Sequence, residues 1–336
     1  MKTLTGISLI LVIVLVSLSS YLRLTHSGIG CAEWPQCYGR IGPAPVSGQT
    51  VVNRLQTESQ DAYQRLLEQS SGPLAWATPL HRLIASLLGL LVVFLNVLAV
   101  RQKRQRLLCL AVLALTVGLA VLGIRSGSLH DPAVVMGNLA GGFILLGLLG
   151  CLRFNLGSTA GRNRPFGLLR GMALVATMLL AGQILLGGFT SANFAATSCS
   201  SLPDCQGGWW PGTGLFTAMD LSRKHQVNSS GQAIGGPERI AIHRAHRLGA
   251  VNAAAAILIA AILAIRSGGA RRTFGVIALL LLVAEFTVGV ASVLFGLPIA
   301  LAVAHNWLAA LLLLALLKLL FPGPQNAGKA PCRAGP

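Results

Sequence analysis

Three histidines lie in or beside long apolar segments of this chain, where an ionisable side chain is costly unless it is used. His81 and His246 each belong to a His-Arg pair that opens an apolar run, and His305 lies within a later run. Asn138 occupies the position in the first half that corresponds to His305. Imidazoles on facing helices are typical ligands of haem iron. The pattern predicts a buried haem, with a hydrogen-bonded structural histidine as the alternative at any single position.

The composition is that of a membrane protein. Of the 336 residues, 54% are hydrophobic and only 10% are charged, whereas soluble domains carry about 25% charged residues. A helix needs roughly 20 apolar residues to cross the hydrocarbon core. Eight segments qualify, at about 5–22, 78–100, 107–125, 133–152, 168–190, 246–265, 274–295 and 299–320. Runs rich in Leu, Ala and Gly favour helices over barrel strands, so we predict an all-α membrane protein with eight transmembrane helices.

The distribution of charge predicts the orientation of these helices. The net charge is +17, and the segments that share one side hold 15 of the 26 basic residues and no acidic residue. The positive-inside rule then places both termini in the cytoplasm. The first span has no small-residue cleavage site, so it is predicted to be retained, in a bacterial plasma membrane. The basic segments are expected to meet anionic lipid headgroups and not nucleic acid.

The two halves of the sequence repeat one design. In each half a cysteine pair is followed by a polar external segment and then by a His-Arg pair, and a proline opens the last span (Pro132 and Pro298). Such a parallel repeat predicts two four-helix bundles in a pseudo-twofold relation, each enclosing a ligand between its second and fourth helices. The predicted parts are an N-terminal half (1–153, with an external loop at about 23–77), a cytoplasmic linker (154–170), a C-terminal half (171–321, with an external loop at about 191–241) and a cytoplasmic tail (322–336).

Four cysteines form two pairs with the same spacing, Cys31 with Cys37 and Cys199 with Cys205. Both pairs lie in the loops that the charge pattern places outside. In an oxidising compartment such pairs are expected to be disulfides. A shared zinc ion is the alternative, but the spacing is wider than that of the usual zinc knuckle.

Other polar residues near the histidines have two interpretations each. Arg82 and Arg247 are placed to pair with haem propionates, or to extend toward the membrane surface. His243, one turn before His246, is expected to face the lipid headgroups, with a hydrogen bond to the ligand shell as the alternative. Glu285 is predicted to make a polar contact between helices, because it precedes Gly289 as Gln183 precedes Gly187; a proton relay is the second interpretation.

Several longer motifs resemble one known family across nearly the whole chain. The first loop, from Arg23 to Gly39, reads RLTHSGIGCAEWPQCYG. The second loop reads GGFTSANFA from Gly187 and CSSLPDCQGGWWP from Cys199. The segments IHRAHRLGA, which starts at Ile242, and AHN, which starts at Ala304, match as well. In these motifs the chain resembles the haem A synthase family of proteobacteria.

The resemblance implies an enzyme that oxidises the C8 methyl group of haem O to a formyl group, giving haem A for terminal oxidase assembly. It implies that His246 and His305 ligate a resident haem b, and that His81 and the residue at position 138 face the substrate haem. It also implies that the external cysteines form disulfides and take part in handling the substrate. Candidate partners are a haem O synthase, an electron-transfer partner and a second copy of the chain.

Two positions depart from the family pattern. Asn138 stands where the family has a histidine, and Thr78 stands where it has an acidic residue three positions before His81. Asparagine is a poor ligand of haem iron, so His81 alone is expected to ligate the substrate haem and to leave one axial position open.

Other functions fit parts of the pattern. A b-type cytochrome would use only the His246 and His305 site and would account simply for Asn138. A transporter would fit the repeat, but broken helices at mid-membrane are expected there. A disulfide-exchange enzyme would usually carry a closer Cys-x-x-Cys pair. Oxidation of haem O accounts for the most features.

Overall fold

The structure is a computed structural model, and it describes residues 1–24, 76–125, 132–157, 167–199, 201–223 and 236–321. The described residues are mostly in long helices. They are α1 (Lys2–Leu24), α2 (Ala77–Arg101), α3 (Arg106–Arg125), α4 (Pro132–Gly157), α5 (Leu168–Ala192), the short α6 (Leu215–Met219), α7 (Pro237–Arg266), α8 (Gly269–Leu294) and α9 (Ile299–Leu320). All except α6 are long and apolar enough to cross a membrane. The prediction of an all-α protein with eight spans is confirmed.

Helix α7 is longer than the sequence pattern predicts. It begins at Pro237, after Gly236 in an extended conformation, and proline is well suited to the first turn of a helix. The first turns carry charged and polar residues, so hydropathy placed the start at His246. Glu238 and Ile242 are nevertheless buried there. His246 therefore lies well inside a continuous helix.

The helices pack as two rings of four. In the first half α1 contacts α2 and α4, and α3 contacts α2 and α4; in the second half α5 contacts α7 and α9, and α8 contacts α7 and α9. The halves meet through contacts of α4 with α5 and α9 and of α1 with α9. This pattern is unchanged when the halves are exchanged, as a pseudo-twofold relation would require. The symmetry itself stays a prediction.

One hydrophobic core runs through both halves, and the outer surface is apolar. Leu146 and Leu149 of α4 and Leu316 of α9 are fully buried in one hydrophobic cluster. By contrast, Leu90 is 70% exposed and Leu107 is 85% exposed. Leucines that face outward on helices of this length are suited to contact with lipid hydrocarbon, because an apolar surface there need not be covered by polar groups.

Candidate haem-binding site

A cavity of about 570 Å³ lies inside the second ring of helices. His246 of α7 and His305 of α9 both line it, as the sequence predicts. The centres of the two imidazole rings are 6.4 Å apart and the ring planes cross at 78°. The cavity is also covered at one end, because Leu202, Pro203 and Trp209 from the segment after α5 contribute to its wall.

Each of these histidines packs against a glycine on a neighbouring helix. A Cβ atom added to Gly187 of α5 would lie 3.2 Å from Cε1 of His246, and one added to Gly289 of α8 would lie 3.2 Å from Cε1 of His305. A larger residue at either glycine would therefore press on the ring. The two helices hold their histidines in the same way.

Each histidine also has a polar partner on its Nδ1 atom. Nε2 of Gln183 lies 3.0 Å from Nδ1 of His246, and Oε1 of Glu285 lies 3.3 Å from Nδ1 of His305. The amide nitrogen of Gln183 is a donor, and it also donates to the carbonyl oxygen of His246 at 3.0 Å. The carboxylate of Glu285 instead holds a proton on Nδ1 of His305. In that tautomer the lone pair of Nε2 is free for a metal. The contact between helices predicted for Glu285 is present.

The donor set fits haem better than a metal ion held by protein alone. Within the described part of the chain, no three His, Cys, Asp or Glu side chains converge on one point. Haem iron needs only two axial ligands from the protein. An imidazole nitrogen binds a metal at about 2 Å, so ring centres on opposite sides of one iron lie on the order of 6 Å apart. The 6.4 Å between His246 and His305 agrees with this value.

A second cavity, of about 310 Å³, lies inside the first ring of helices. His81 and Arg82 of α2 and Asn138 of α4 line it. Positions 81 and 138, which the sequence repeat pairs, thus lie on two helices that line one cavity. Thr78 lies one turn before His81 on α2 and is not part of this lining.

The two cavities are lined at matching positions. From α3 the lining residues are Thr116, Leu119, Ala120 and Gly123, and from α8 they are Leu282, Glu285, Phe286 and Gly289. The spacing along the chain is identical in the two helices. Position 119 therefore corresponds to position 285, and a leucine replaces the carboxylate.

The first helix of each half shows the same correspondence. From α1 the lining includes Val12, Leu15, Val16 and Ser19, and from α5 it includes Leu180, Gln183, Ile184 and Gly187. Leu15 therefore corresponds to Gln183. The N-terminal cavity has apolar side chains at both positions that hold a histidine in the C-terminal cavity.

Arg247 holds the cover of the C-terminal cavity. Its Nη1 atom donates to the carbonyl oxygens of Ser201 at 2.7 Å and Asp204 at 2.6 Å, and its Nη2 atom donates to that of Cys199 at 2.8 Å. Arg244 donates from Nη2 to the carbonyl oxygen of Cys205 at 2.7 Å. The predicted role of Arg247 in pairing with propionates stays a prediction, beside this structural role.

Of the two predicted disulfides, one lies within the described residues and the other does not. Cys199 and Cys205 form a disulfide, as predicted. Cys31 and Cys37 lie outside the described residues.

Two cavity residues differ from what the sequence predicts. His243 was expected to face the headgroups, but it is only 4% exposed and lines the C-terminal cavity. The reason is that α7 starts earlier than predicted, so His243 lies within the helix and against the segment after α5. Arg23, in the last turn of α1, lines both cavities and was noted only as part of a motif. A basic residue at the end of an apolar run does not by itself predict that its side chain lines a cavity.

Fold and cavities define a multi-pass membrane protein with two cavities that are lined at matching positions. The family model for COX15-CtaA, described as cytochrome oxidase assembly protein, matches residues 2–317. The chain therefore belongs to the COX15-CtaA family of cytochrome oxidase assembly proteins.

Three relatives are described as Heme A synthase. The protein of Shewanella oneidensis is 32% identical over 320 residues, which cover 92% of each chain. That of Neorickettsia sennetsu is 27% identical over 335 residues, covering 93% of this chain and 95% of the relative. That of Rhizorhabdus wittichii is 33% identical over 146 residues, 44% of this chain and 38% of the relative.

Proposed function

We propose that this protein is a haem A synthase, an oxidoreductase that converts the C8 methyl group of haem O into a formyl group. The observation that carries the proposal is the pair of corresponding cavities, one with two facing histidines and one with a single histidine. Family membership and the names of the relatives support it. The conversion adds one oxygen atom and removes four electrons overall, so the protein needs an electron acceptor.

The C-terminal cavity is the proposed site of a resident haem b, with His246 and His305 as axial ligands. A bis-histidine haem supplies one-electron transfer when bound. Gln183 and Glu285 orient the two rings through Nδ1. Gly187 and Gly289 leave space for the rings to lie flat against their helices.

The N-terminal cavity is the proposed site of the substrate, haem O. His81 is the candidate ligand on one side of the substrate iron. Asn138 lines the same cavity from α4. It is a poor ligand, so it leaves room on the side of the iron away from His81. Both residues are placed where they would touch the substrate.

Arginines at the external ends of the helices are proposed to bind the haem carboxylates. Arg82 lines the N-terminal cavity and Arg247 the C-terminal one. Arg23 lines both, and none of the described residues accepts a hydrogen bond from its buried Nε atom. Because the Nη atoms of Arg247 already donate to three carbonyl groups, Arg23 is the better candidate for a carboxylate in the C-terminal cavity.

We further propose a bacterial plasma membrane location with both termini in the cytoplasm. The cysteine loops then face the periplasm, where Cys31–Cys37 and Cys199–Cys205 are disulfides. A haem O synthase, an electron-transfer protein and a second copy of the chain are the proposed partners. The N-terminal half (1–153) is the substrate half and the C-terminal half (171–321) is the haem b half.

A b-type cytochrome that only carries electrons is the second candidate. Asn138 in place of a second axial histidine favours it. The retained cavity around His81 and Arg82 favours the enzyme, because an electron carrier has no need for a second ligand site.

The deciding experiment expresses the chain in a host that makes haem O but not haem A. Extracted haems are separated by chromatography and identified by mass. Haem A or its hydroxylated intermediate is expected, and His81→Ala should abolish it while haem b remains bound. Trp307→Leu, an exposed position on α9, is the matched control and should leave the product unchanged. Haem b alone, with haem O untouched, would favour the electron carrier.

The open axial position can be tested by Asn138→His. With substrate haem bound, this variant should gain a second low-spin haem signal and lose turnover, because the new imidazole would fill the open side. An unchanged spectrum of the loaded protein would contradict the open-site assignment.

A further inference from the structure

Basic side chains gather where the two halves meet, at the end of the molecule away from the cavities. A Cβ atom added to Gly6 of α1 would lie 4.0 Å from Nε of Arg153, so this arginine of α4 reaches the start of α1. Arg170 of α5 donates hydrogen bonds of 3.2 and 3.1 Å to the carbonyl oxygen of Leu320, at the end of α9. Lys318 lies in the last turn of α9. Three helices from both halves thus bring a cation to one place.

Lys318 lies over aromatic rings. Its Nζ atom is 5.1 Å from the ring centre of Phe154 on α4 and 5.9 Å from that of Phe274 on α8. The ring of Phe321 lies 5.8 Å from that of Phe154. Arg153 is close enough for its positive charge to act on Lys318. The helix ends therefore hold two like charges together beside an apolar, aromatic surface.

The carboxylates of the described residues lie elsewhere. Asp204 and Asp220 belong to the segment after α5, Glu238 is in the first turn of α7, and Glu285 lines the C-terminal cavity. The flanking segments 158–166 and 322–336 contain basic residues and no acidic residue in the sequence. Like charges repel more strongly where water is partly excluded. The positive charge at this place is thus not offset by any described carboxylate.

We propose that Arg153 and Lys318 bind the phosphate of an anionic phospholipid at the junction of the two halves. Guanidinium and ammonium groups donate charge-assisted hydrogen bonds to phosphate oxygens. Basic pockets between transmembrane helices are typical sites for anionic lipid headgroups. The rings of Phe154 and Phe274 offer apolar contact to acyl chains, which a free phosphate ion would not use.

A phosphate at this position would join the halves. Arg153 belongs to the N-terminal half and Lys318 to the C-terminal half, so one anion replaces a repulsion across the junction by two attractions. Arg170 ties the end of α9 to α5 and so fixes the backbone beside Lys318. The general attraction of basic segments to an anionic membrane depends on how many charges there are, whereas this site depends on where two of them lie. The proposal does not require haem in either cavity.

The test counts the lipids bound to the full-length protein by native mass spectrometry. Protein purified in a non-ionic detergent is titrated with phosphatidylglycerol and, separately, with phosphatidylcholine of the same acyl chains. The wild type should bind one phosphatidylglycerol more tightly than it binds further copies. Lys318→Gln and Arg153→Gln should each weaken this first binding by about 10-fold, as expected for loss of a hydrogen bond to a charged group.

Two variants separate the arrangement of the charges from their number. Lys318→Arg keeps a charged donor and should bind the first phosphatidylglycerol about as tightly as the wild type. Arg101→Gln is the matched control, because it removes one positive charge from the exposed last turn of α2, which packs on α1 and α3. Its first binding should equal that of the wild type.

Three results would overturn the proposal. The first is equal affinity of the wild type for the two lipids. The second is wild-type affinity in both Lys318→Gln and Arg153→Gln. The third is an equal loss in Arg101→Gln and Lys318→Gln, which would show attraction to the total charge alone.

Thermal unfolding distinguishes a lipid from a free anion, since a ligand that binds the folded state raises the unfolding temperature. Phosphatidylglycerol should raise the unfolding temperature of the wild type and leave that of Lys318→Gln nearly unchanged. Inorganic phosphate at the same concentration should raise neither. An equal rise of the wild type with inorganic phosphate would show that the site takes a free anion, and the assignment to a lipid would be wrong.

Discussion

The histidines of the C-terminal cavity are held by a glycine and a polar side chain set four residues apart. Gly187 and Gln183 do this for His246, and Gly289 and Glu285 do it for His305. The glycine sets how close the ring lies to the neighbouring helix, and the polar group sets its rotation. Ligand geometry therefore depends on residues that would not themselves touch iron.

Gly187→Ala is expected to disturb haem binding. The added Cβ would lie 3.2 Å from Cε1 of His246, so the ring must shift by a few tenths of an ångström. We expect haem affinity to fall by about 10-fold, as for other changes that misorient a metal ligand. Absorption spectra of the low-spin haem during titration measure this.

Gly182→Ala is the matched control on the same helix. No heavy atom lies within 4 Å of a Cβ at that position. Its haem affinity should equal that of the wild type. Equal affinity of the Gly187 variant would contradict the packing argument.

Arg23→Gln is expected to reduce discrimination between charged and esterified haem. A hydrogen bond to a charged group contributes about 1.5–3 kcal/mol, which corresponds to roughly 10-fold or more in affinity. The ratio of affinities for ferric protoporphyrin IX and its dimethyl ester measures the contribution of the carboxylates. The wild type should prefer the acid, and the Arg23→Gln variant should lose most of that preference.

Arg153→Gln serves as the control. Arg153 lies near the C-terminal end of α4 and lines neither cavity. Arg23→Lys should recover part of the preference, since it restores the charge but not the guanidinium fork. If Arg247→Gln loses the preference while Arg23→Gln keeps it, the carboxylate role belongs to Arg247.

At the scale of elements, α7 joins the C-terminal cavity to the segment that covers it. The helix carries Arg244 and Arg247, whose guanidinium groups hold the disulfide-bonded segment after α5. About one turn of this helix thus bears the proposed iron ligand His246 and the two arginines that hold the cover. A change in the cover is therefore expected to alter the cavity.

Arg244→Ala is expected to loosen the external segment. It removes hydrogen bonds to the carbonyl oxygens of Cys205 and Trp210. The free energy of unfolding should fall by about 1–2 kcal/mol, since Arg244 is only partly buried. Limited proteolysis should cleave within residues 201–223 faster than in the wild type.

Arg266→Ala, at the last turn of the same helix, is the control for this variant. It should leave cleavage of residues 201–223 unchanged. If both variants are cut at the wild-type rate, the arginine contacts do not hold the segment.

At the scale of the whole molecule, the two halves meet at α4 and its neighbours. Gly188 of α5 faces Met136 and Leu139 of α4, and a Cβ there would lie 2.9 Å from Sδ of Met136. Small residues at such positions let helices approach closely in a membrane. The distance between the cavities depends on this approach, and so does any electron transfer between them.

Gly188→Val is expected to weaken the contact between the halves. Overpacking of a close interface costs about 1–3 kcal/mol, so the thermal unfolding temperature in detergent should fall. Gly182→Val, at an open position of α5, should unfold at the wild-type temperature. Equal temperatures for the two variants would show that α4 and α5 tolerate the extra volume.

The sequence alone determined the class, the spans and the pairing of positions, and the orientation stays a prediction. Apolar runs of transmembrane length and the one-sided distribution of basic residues depend on local composition, so they can be read without a fold. Repetition of the His-Arg pairs placed His81 with Asn138 and His246 with His305. The start of α7 was missed because its first turns are polar, and they are buried against α5 and the segment that follows it.

Only the tertiary structure decided which side chains meet at each cavity. The Nδ1 partners Gln183 and Glu285, the placement of Arg23 in both cavities and the attachment of Arg247 to the external segment all join residues from different helices or loops. Such contacts depend on how helices pack and rotate against each other, which local sequence does not encode. The difference between the linings of the two cavities therefore appears only when the four helices around each cavity are seen together.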